Sequence, residues 1–270
     1  MLKLMYITNE VSLAKAAEKA GVDRIMVDLE RLGKAERQKG WNSFISDHEE
    51  KDIKGIKNAL KVSEVVVRIN PIHDGSKEEI ERVISLGADI IMLPYFKKAK
   101  DVKEMIALVN GRKKVCLLLE TKEAVEDIDT ILSVPGIDEI HIGLNDLSHS
   151  YEEDFLFETF SNGTIDHIVK KLKAHKIKDY GIGGIARISS GLIPAEDVIT
   201  EHKRLGSGCA ILSRAFFDKD KNADELFETE VKKIRAFEEK AEKFSCEELQ
   251  KARARFNEKV KEVVKNLSGS

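Results

Sequence analysis

Long apolar runs are missing from this chain of 270 residues. No stretch of about 18 apolar residues occurs, so no membrane-spanning helix is expected. The N-terminus has no apolar segment followed by a cleavage site. A soluble, cytoplasmic protein is therefore the expectation. Charge of one sign is also missing: 45 Lys and Arg face 48 Asp and Glu, a formal net charge of −3. That balance gives no electrostatic reason to bind nucleic acid or an anionic membrane. Cysteine is scarce, with only 3 in the chain, and none forms a CxxC pair. Cys116 and Cys209 lie inside apolar runs. Buried, reduced thiols are expected rather than a zinc site or a redox pair. A glycine-rich phosphate turn is absent too, because the first apolar run leads into Thr8-Asn9-Glu10-Val11. That counts against a doubly wound nucleotide-binding sheet.

What is present is a repeat of short apolar runs and amphipathic stretches. With 42% apolar and 34% charged residues, the chain can bury a full core. Strands are predicted at 3–8, 23–29, 64–69, 89–94, 114–119, 139–144, 180–186 and 208–213. Helical patterns fall between them at 10–20, 50–61, 76–86, 99–110, 122–132, 163–175 and 194–204. Gly21 and Gly87 stand where a helix ends in a left-handed residue. The strands are rich in Val, Ile and Leu, as parallel strands buried on both faces are. Eight strands alternating with helices predict an α/β fold, a (β/α)8 TIM barrel with extra C-terminal helices. A doubly wound sheet is the runner-up.

Residues 222–266 contain neither Pro nor Gly and are rich in Glu, Lys, Ala and Phe. Leu226, Val231, Ile234 and Phe237 recur near helical spacing. The expected division is a barrel core over 1–221, a helical extension over 222–266 and a tail over 267–270. The extension supplies the eighth barrel helix and a further helix suited to packing on a partner subunit.

In such a barrel the C-terminal strand ends share one face, where ligands bind. Polar residues gather at those ends here. The second strand delivers Asp28, Glu30 and Arg31, and the third Arg68 and Asn70. The fifth delivers Glu120, and the sixth Asn145 and Asp146. Charges are costly inside a barrel unless paired or used. Glu120 and Asp146, one βα unit apart, suit a hard divalent cation such as Mg²⁺. Arg68 adds a fixed positive charge, and metal plus arginine suits a small oxyacid such as a 2-keto acid. The turn Gly143-Leu144-Asn145-Asp146-Leu147-Ser148 lets backbone amides approach a ligand.

These segments resemble the HpcH/HpaI aldolase and citrate lyase β-subunit family. The resemblance is carried by Gly21 to Glu30, Val67-Arg68-Ile69-Asn70-Pro71, Gly87 to Pro94, Leu119-Glu120-Thr121 and Val134 to Ser148. It implies a phosphoenolpyruvate/pyruvate-type TIM barrel, commonly a homo-oligomer with exchanged C-terminal helices. It implies that Glu120 and Asp146 ligate Mg²⁺ or Mn²⁺, and that Arg68 binds the keto-acid carboxylate or enolate oxygen. The backbone from Gly143 to Asp146, with Asn145, then holds the other end of the substrate. The partners implied are a small keto acid and an aldehyde or acyl group. The activity implied is carbon–carbon bond cleavage or formation through an enolate.

The chain departs from the aldolase pattern at one point. Aldolases of the family carry a histidine in an Asp-x-Glu-His string, and here the string is Asp28-Leu29-Glu30-Arg31. Arginine is a poor general base. The candidates for the base are Glu30, His48, His73 or a metal-bound water. Arg31 is suited to grip a second carboxylate or a phosphate. The Asp-Leu-Glu core is closer to the citrate lyase branch, which leaves an acyl-CoA lyase or thioesterase as an alternative. A barrel without catalysis, acting as a sensor or subunit, is another. Barrel geometry alone also points to Arg187, Ser213 and Arg214 near the rim. The cluster Lys97-Lys98-Ala99-Lys100 reads as a solvated helix start.

Overall fold

A computed structural model of the chain describes residues 1–34, 46–213, 216 and 221–268. Eight parallel strands close into a barrel in sequence order, and the last pairs with the first. They are β1 (Lys3–Ile7), β2 (Arg24–Asp28), β3 (Glu64–Arg68), β4 (Ile90–Leu93), β5 (Lys114–Leu119), β6 (Glu139–Ile142), β7 (Tyr180–Ile185) and β8 (Cys209–Leu212). Each lies within the apolar run that predicted it. The doubly wound alternative is excluded by the β1–β8 pairing.

Alternation along the strands divides the side chains between two cores. Met5, Met26, Val66, Ile90, Met92, Cys116, Leu118 and Cys209 fill the barrel interior. Their neighbours in sequence, among them Ile25, Val27, Val65, Ile91 and Leu117, face the helices. The thiols of Cys116 and Cys209 are buried as expected, while Cys246 is exposed. The glycines of β7 answer to packing: a Cβ on Gly181 would lie 2.4 Å from Nδ1 of His141 and 2.9 Å from Cβ of Cys209. At the N-terminal end of the interior, Arg24 donates to both oxygens of Glu139 at 2.6 and 2.7 Å and to Glu64 at 3.0 Å.

The helices begin with α1 (Val11–Lys19), α2 (Glu50–Ala59), α3 (Ser76–Leu86) and α4 (Ala99–Val109). Gly87 takes the left-handed conformation after α3, with φ 106°. The stretch 122–132 is two helices, α5 (Lys122–Glu126) and α6 (Ile128–Leu132). The break falls at Asp127, whose carboxylate is turned aside to accept from the Ala99 amide at 3.3 Å. Two short helices, α7 (Leu144–Ser150) and α8 (Glu158–Ser161), occupy the β6 loop that the sequence left without structure. Then come α9 (Thr164–Ala174), α10 (Ala195–Leu205), α11 (Ala223–Ala241) and α12 (Cys246–Ser268). None of the described helices is long and apolar enough to cross a membrane.

α11 packs on α1 and completes the helical ring. α12 lies on α10 and α8 of its own barrel. Phe256 sits 5.4 Å from Phe160 and 5.8 Å from Phe157, measured between ring centroids. Arg253 reaches Glu201 at 2.9 Å, and Arg255 and Lys259 reach Asp197 at 2.7 and 2.6 Å. The helix continues to Ser268, so Leu267 and Ser268 belong to it rather than to a tail.

Two histidines are buried within this core. Burial pushes His141 down to about 4, against the opposing hydrogen bond that its Nε2 donates to the Gly183 carbonyl. Burial, and then the neighbouring His141, push His202 down to about 3. Both are neutral in the folded protein and charge more readily when it unfolds, near pH 6.5. Folding stability should therefore be unaffected by them above pH 6.5 and fall as the pH drops toward 4. Each contributes a slope of about 1.4 kcal/mol per pH unit at most. Urea titrations at pH 7.5, 6.0 and 5.0 measure the slope, and His202→Gln should make it shallower.

Candidate functional site at the barrel mouth

The side-chain alternation dictates which strand ends look inward. Met26, Val66 and Leu118 point into the barrel, so Asp28, Arg68 and Glu120, two residues further on, do the same. Asp28 and Arg68 are also direct partners in the β2–β3 register. Arg68 grips Asp28 with two parallel hydrogen bonds, Nε to Oδ1 at 2.8 Å and Nη2 to Oδ2 at 2.7 Å. Asp28 accepts further from Lys34 Nζ at 3.0 Å, Ser46 Oγ at 2.8 Å and the Glu30 amide at 3.2 Å. Burial would raise the Asp28 carboxyl, but Arg68 and Lys34 outweigh it and hold it well below the usual carboxylate range.

Glu30 is fully buried beside this pair. Its Oε2 lies 3.3 Å from Lys34 Nζ and 3.5 Å from Arg68 Nη1. The four charges Asp28, Glu30, Lys34 and Arg68 thus cancel. Lys34 is only 2% exposed, and the sequence reading missed it. The available signal was its spacing four residues after Glu30, a pairing distance once the chain turns helical.

Glu120 stands across the mouth, 3% exposed. Its Oε1 accepts from the Tyr95 amide at 3.0 Å. Tyr95 takes φ 50°, the left-handed region, to present that amide. Such a conformation in a residue with a side chain costs on the order of 1 kcal/mol and marks a constrained site. The other oxygen of Glu120 lies against Gly143, where a Cβ would sit 2.6 Å from it. Burial, then repulsion from Asp146 and Glu30, push the Glu120 carboxyl well above its usual value, with Arg68 and the Tyr95 amide opposing. Asp146, half-buried in the first turn of α7, is therefore an electrostatic neighbour of Glu120. Asn145 beside it is exposed.

Glu120, Asp146, Glu30, Asp28 and Arg68 come together as the sequence predicted. Other candidates take supporting positions. His48 is buried, and its Nδ1 accepts from the Asp28 amide at 2.9 Å. In the neutral ring the proton then sits on Nε2. Burial lowers the His48 pKa, so the neutral form is favoured. That arrangement leaves no ring nitrogen free to take a proton. His73 is likewise engaged on both sides, with Gly75 at 3.0 Å and Glu79 at 3.1 Å. Asn70 orders the loop after β2, accepting from the amides of Arg31 and Leu32 at 2.9 Å. Arg31 is exposed and donates Nη2 to the His48 carbonyl at 3.0 Å. Arg187 is half-buried beyond β7, and Ser213 closes β8 with its amide bonded to the Ile185 carbonyl at 2.8 Å. Arg214 lies outside the described residues. Lys98 and Lys100 are solvated at the start of α4, while Lys97 pairs with Glu123 at 2.6 Å.

No group of three or more His, Cys, Asp or Glu side chains among the described residues is arranged to hold a metal ion. Glu120 and Asp146 alone are a pair. A pair of carboxylates fits Mg²⁺, which keeps several waters and takes one or two protein ligands. The like charges crowded around buried Glu120 are also what a cation would relieve.

A closed (β/α)8 barrel with carboxylates and an arginine at its C-terminal mouth defines the class. The HpcH/HpaI aldolase/citrate lyase model matches residues 3–155, more than half of the chain, and the chain belongs to that family. Curated relatives include the 2-keto-3-deoxy-L-rhamnonate aldolases of Salmonella paratyphi B and Salmonella newport. Each is 29% identical over 30% of this chain and 42% of its own length. The match thus spans less than half the length of those relatives. Similar solved structures include an HpcH/HpaI aldolase from Desulfitobacterium hafniense DCB-2, with TM-score 0.61 and 16% identity over 88% of this chain and 93% of that one. An HpcH/HpaI aldolase/citrate lyase family protein from Burkholderia cenocepacia J2315 has TM-score 0.62 and 16% identity, covering 88% and 94%. At such identities the likeness is one of fold.

Gly143 follows directly from this geometry. Gly143→Ala should force Glu120 to shift, at about 1–3 kcal/mol of stability for overpacking. Urea denaturation of the variant beside the parent protein measures that loss.

Proposed function

We propose that the protein is a divalent-metal-dependent carbon–carbon lyase acting on pyruvate or a related 2-keto acid through its enolate. The observation that carries this reading is the buried Glu120 beside Asp146, facing the Asp28-anchored guanidinium of Arg68. Family membership supports it, as does the name of the Salmonella relatives.

Glu120 and Asp146 are the residues to hold Mg²⁺ or Mn²⁺, and a bound ion of that kind polarises a keto oxygen as a Lewis acid. The remaining work falls to the chain's own side chains. Arg68 is fixed by Asp28 along its Nε–Nη2 edge, so its Nη1 side is the one that meets the substrate carboxylate or enolate oxygen. Its charge is permanent, and it is set in place before negative charge develops on the substrate. Cleavage also requires a group to take the proton from the hydroxyl of the breaking bond. Among the base candidates, Glu30 carries a carboxylate oxygen 3.5 Å from Arg68. Both His48 and His73 have their ring nitrogens committed elsewhere. Glu30 is thus assigned the proton-accepting role, and His48 orients Asp28. The backbone from Gly143 to Asp146, with Asn145, faces the far end of the substrate.

A second reading is an acyl-CoA lyase or thioesterase, and Arg31 favours it. An exposed guanidinium at the rim, where the aldolases carry a histidine, suits a phosphate or a second carboxylate.

Proton exchange tests the first reading directly. Incubated with Mg²⁺ or Mn²⁺ and pyruvate in D₂O, the protein should deplete the methyl signal in the NMR spectrum. EDTA should abolish the exchange, and Glu120→Ala should slow it by at least about a hundredfold, as loss of a metal ligand does. An enzyme that binds the metal and leaves the methyl protons untouched rules pyruvate out. Tight binding of CoA esters by that same protein would move the assignment to the second reading.

A further inference from the structure

Asp146 stands on a helix too short to hold itself. It lies in the first turn of α7, which has 7 residues. Helices of that length have little stability of their own in water and take their place from what they pack on. Among the described elements α7 packs chiefly on β7 and on α8. α8 has 4 residues and the same need for support. Hydrogen bonds join the two. The Glu153 amide returns to the Ser148 carbonyl at 3.0 Å, and the Glu153 carboxylate accepts from Asn162 just past α8. The Phe155 amide donates to Glu158 at 2.8 Å. Phe155, Phe157 and Phe160 follow one another along this loop, with ring centroids 5.5 and 5.9 Å apart.

The aromatic side of α8 rests on the C-terminal helix. Phe256 is 1% exposed and meets both Phe157 and Phe160. Arg253, one turn earlier, donates to the Phe160 carbonyl near the end of α8. Its guanidinium is anchored by Glu201 at 2.9 Å and Asp166 at 3.1 Å.

We infer that Phe256 and Arg253 of α12 are positioning residues for Asp146: through α8 they hold α7 where the Asp146 carboxylate stands near Glu120. This role rests on Asp146 as a metal ligand. Neither residue touches metal or substrate. Removing the Phe256 ring leaves a void beside Phe157 and Phe160, and surrounding structure relaxes into such a void only in part. The start of α7 is pinned separately by β7, where a Cβ on Gly183 would lie 2.2 Å from Leu144. The freedom gained therefore falls on the turns after Leu144, which carry Asp146.

The titration of free Mn²⁺, followed by its EPR signal, tests the role without any turnover. Phe256→Ala should weaken Mn²⁺ affinity by about threefold or more. Ile234→Ala is the control for lost stability, a fully buried truncation on α11 away from the β6 loop. It should stay within about twofold of the parent. Phe256→Leu keeps most of the apolar volume and should lie near the parent. Should Phe256→Ala not fold, Arg253→Met carries the test to the same threshold. A smaller loss than that, or a loss as large in Ile234→Ala, overturns the inference.

A second readout needs no metal. Amide hydrogen exchange read by mass spectrometry should be faster over 147–153 in Phe256→Ala and unchanged there in Ile234→Ala. Equal protection of this segment in Phe256→Ala and the parent overturns the inference. Should the parent protein bind no Mn²⁺, the metal reading falls by itself, and the exchange rates still decide whether α12 holds α7 in place.

Discussion

The bidentate pair between Asp28 and Arg68 is the constraint on which the barrel mouth depends. It joins two adjacent strand ends in register, and it fixes the orientation of the guanidinium plane. Ser46, Lys34 and the Glu30 amide complete the coordination of the carboxylate. His48 accepts a hydrogen bond from the Asp28 amide at its ring Nδ1. An ion pair removed from water gains little net stability over a packed apolar pair. What it provides is a fixed direction. A flexible arginine would be placed by the ligand at an entropic cost, whereas this one is placed by the fold.

The opposite side of the mouth is built on different physics. Glu120 accepts a hydrogen bond from the Tyr95 amide, presented in a left-handed conformation. Its surroundings are anionic, with Asp146 and Glu30 nearby. Among the described residues of the mouth the buried or half-buried carboxylates Asp28, Glu30, Glu120 and Asp146 outnumber the buried or half-buried cations Lys34 and Arg68, with Arg31 exposed at the rim. A folded protein tolerates such a surplus where a cation or a proton compensates it. The raised Glu120 carboxyl expresses the same imbalance, with a proton as the compensating charge. Gly143 belongs to this side too, since no other residue leaves Glu120 its place.

Much of this was legible in the sequence, because the governing signals are local or periodic. Each strand is an apolar run, and the period of two then determines that Asp28, Arg68 and Glu120 face inward. Asp146 was legible through its place after β6. The missing parts depend on long-range geometry. Lys34 lies in a stretch without apolar periodicity, and only the fold shows it turning back under Asp28 and Glu30. Tyr95 gives no signal, because its backbone conformation is imposed by Glu120 from the next strand. His48 is one of several candidate bases by its place in the sequence, yet its lone pair is taken by an amide twenty residues away. Asp127, at the break between α5 and α6, likewise accepts from the amide of Ala99 in a different βα unit. In the C-terminal region the helical pattern was clear, but its seat was not. Asp197, Glu201 and Phe160 prepare a place for α12 on its own barrel, and nothing local to residues 246–268 indicates them.

Among the described residues Arg24 and Arg68 both point inward, and the contrast between them shows how one residue type serves two ends of a fold. Arg24 opens β2 and Arg68 closes β3. Arg24 is bonded on both edges, twice by Glu139 and once by Glu64. It is 2% exposed, and its donors are spent on closing the floor of the barrel. Arg68 is hydrogen-bonded by Asp28 along one edge, has the longer Glu30 ion pair at 3.5 Å on Nη1, and its side chain is 14% exposed. Carboxylates on both edges and near-complete burial make the Arg24 guanidinium structural, because it is closed to any ligand. Partial pairing at an accessible end leaves binding capacity in a fixed orientation. Conservation of net charge within each group follows the same division. At the floor the acids Glu64 and Glu139 are matched by Arg24 and Lys114, whereas at the mouth Glu120 stands among like charges.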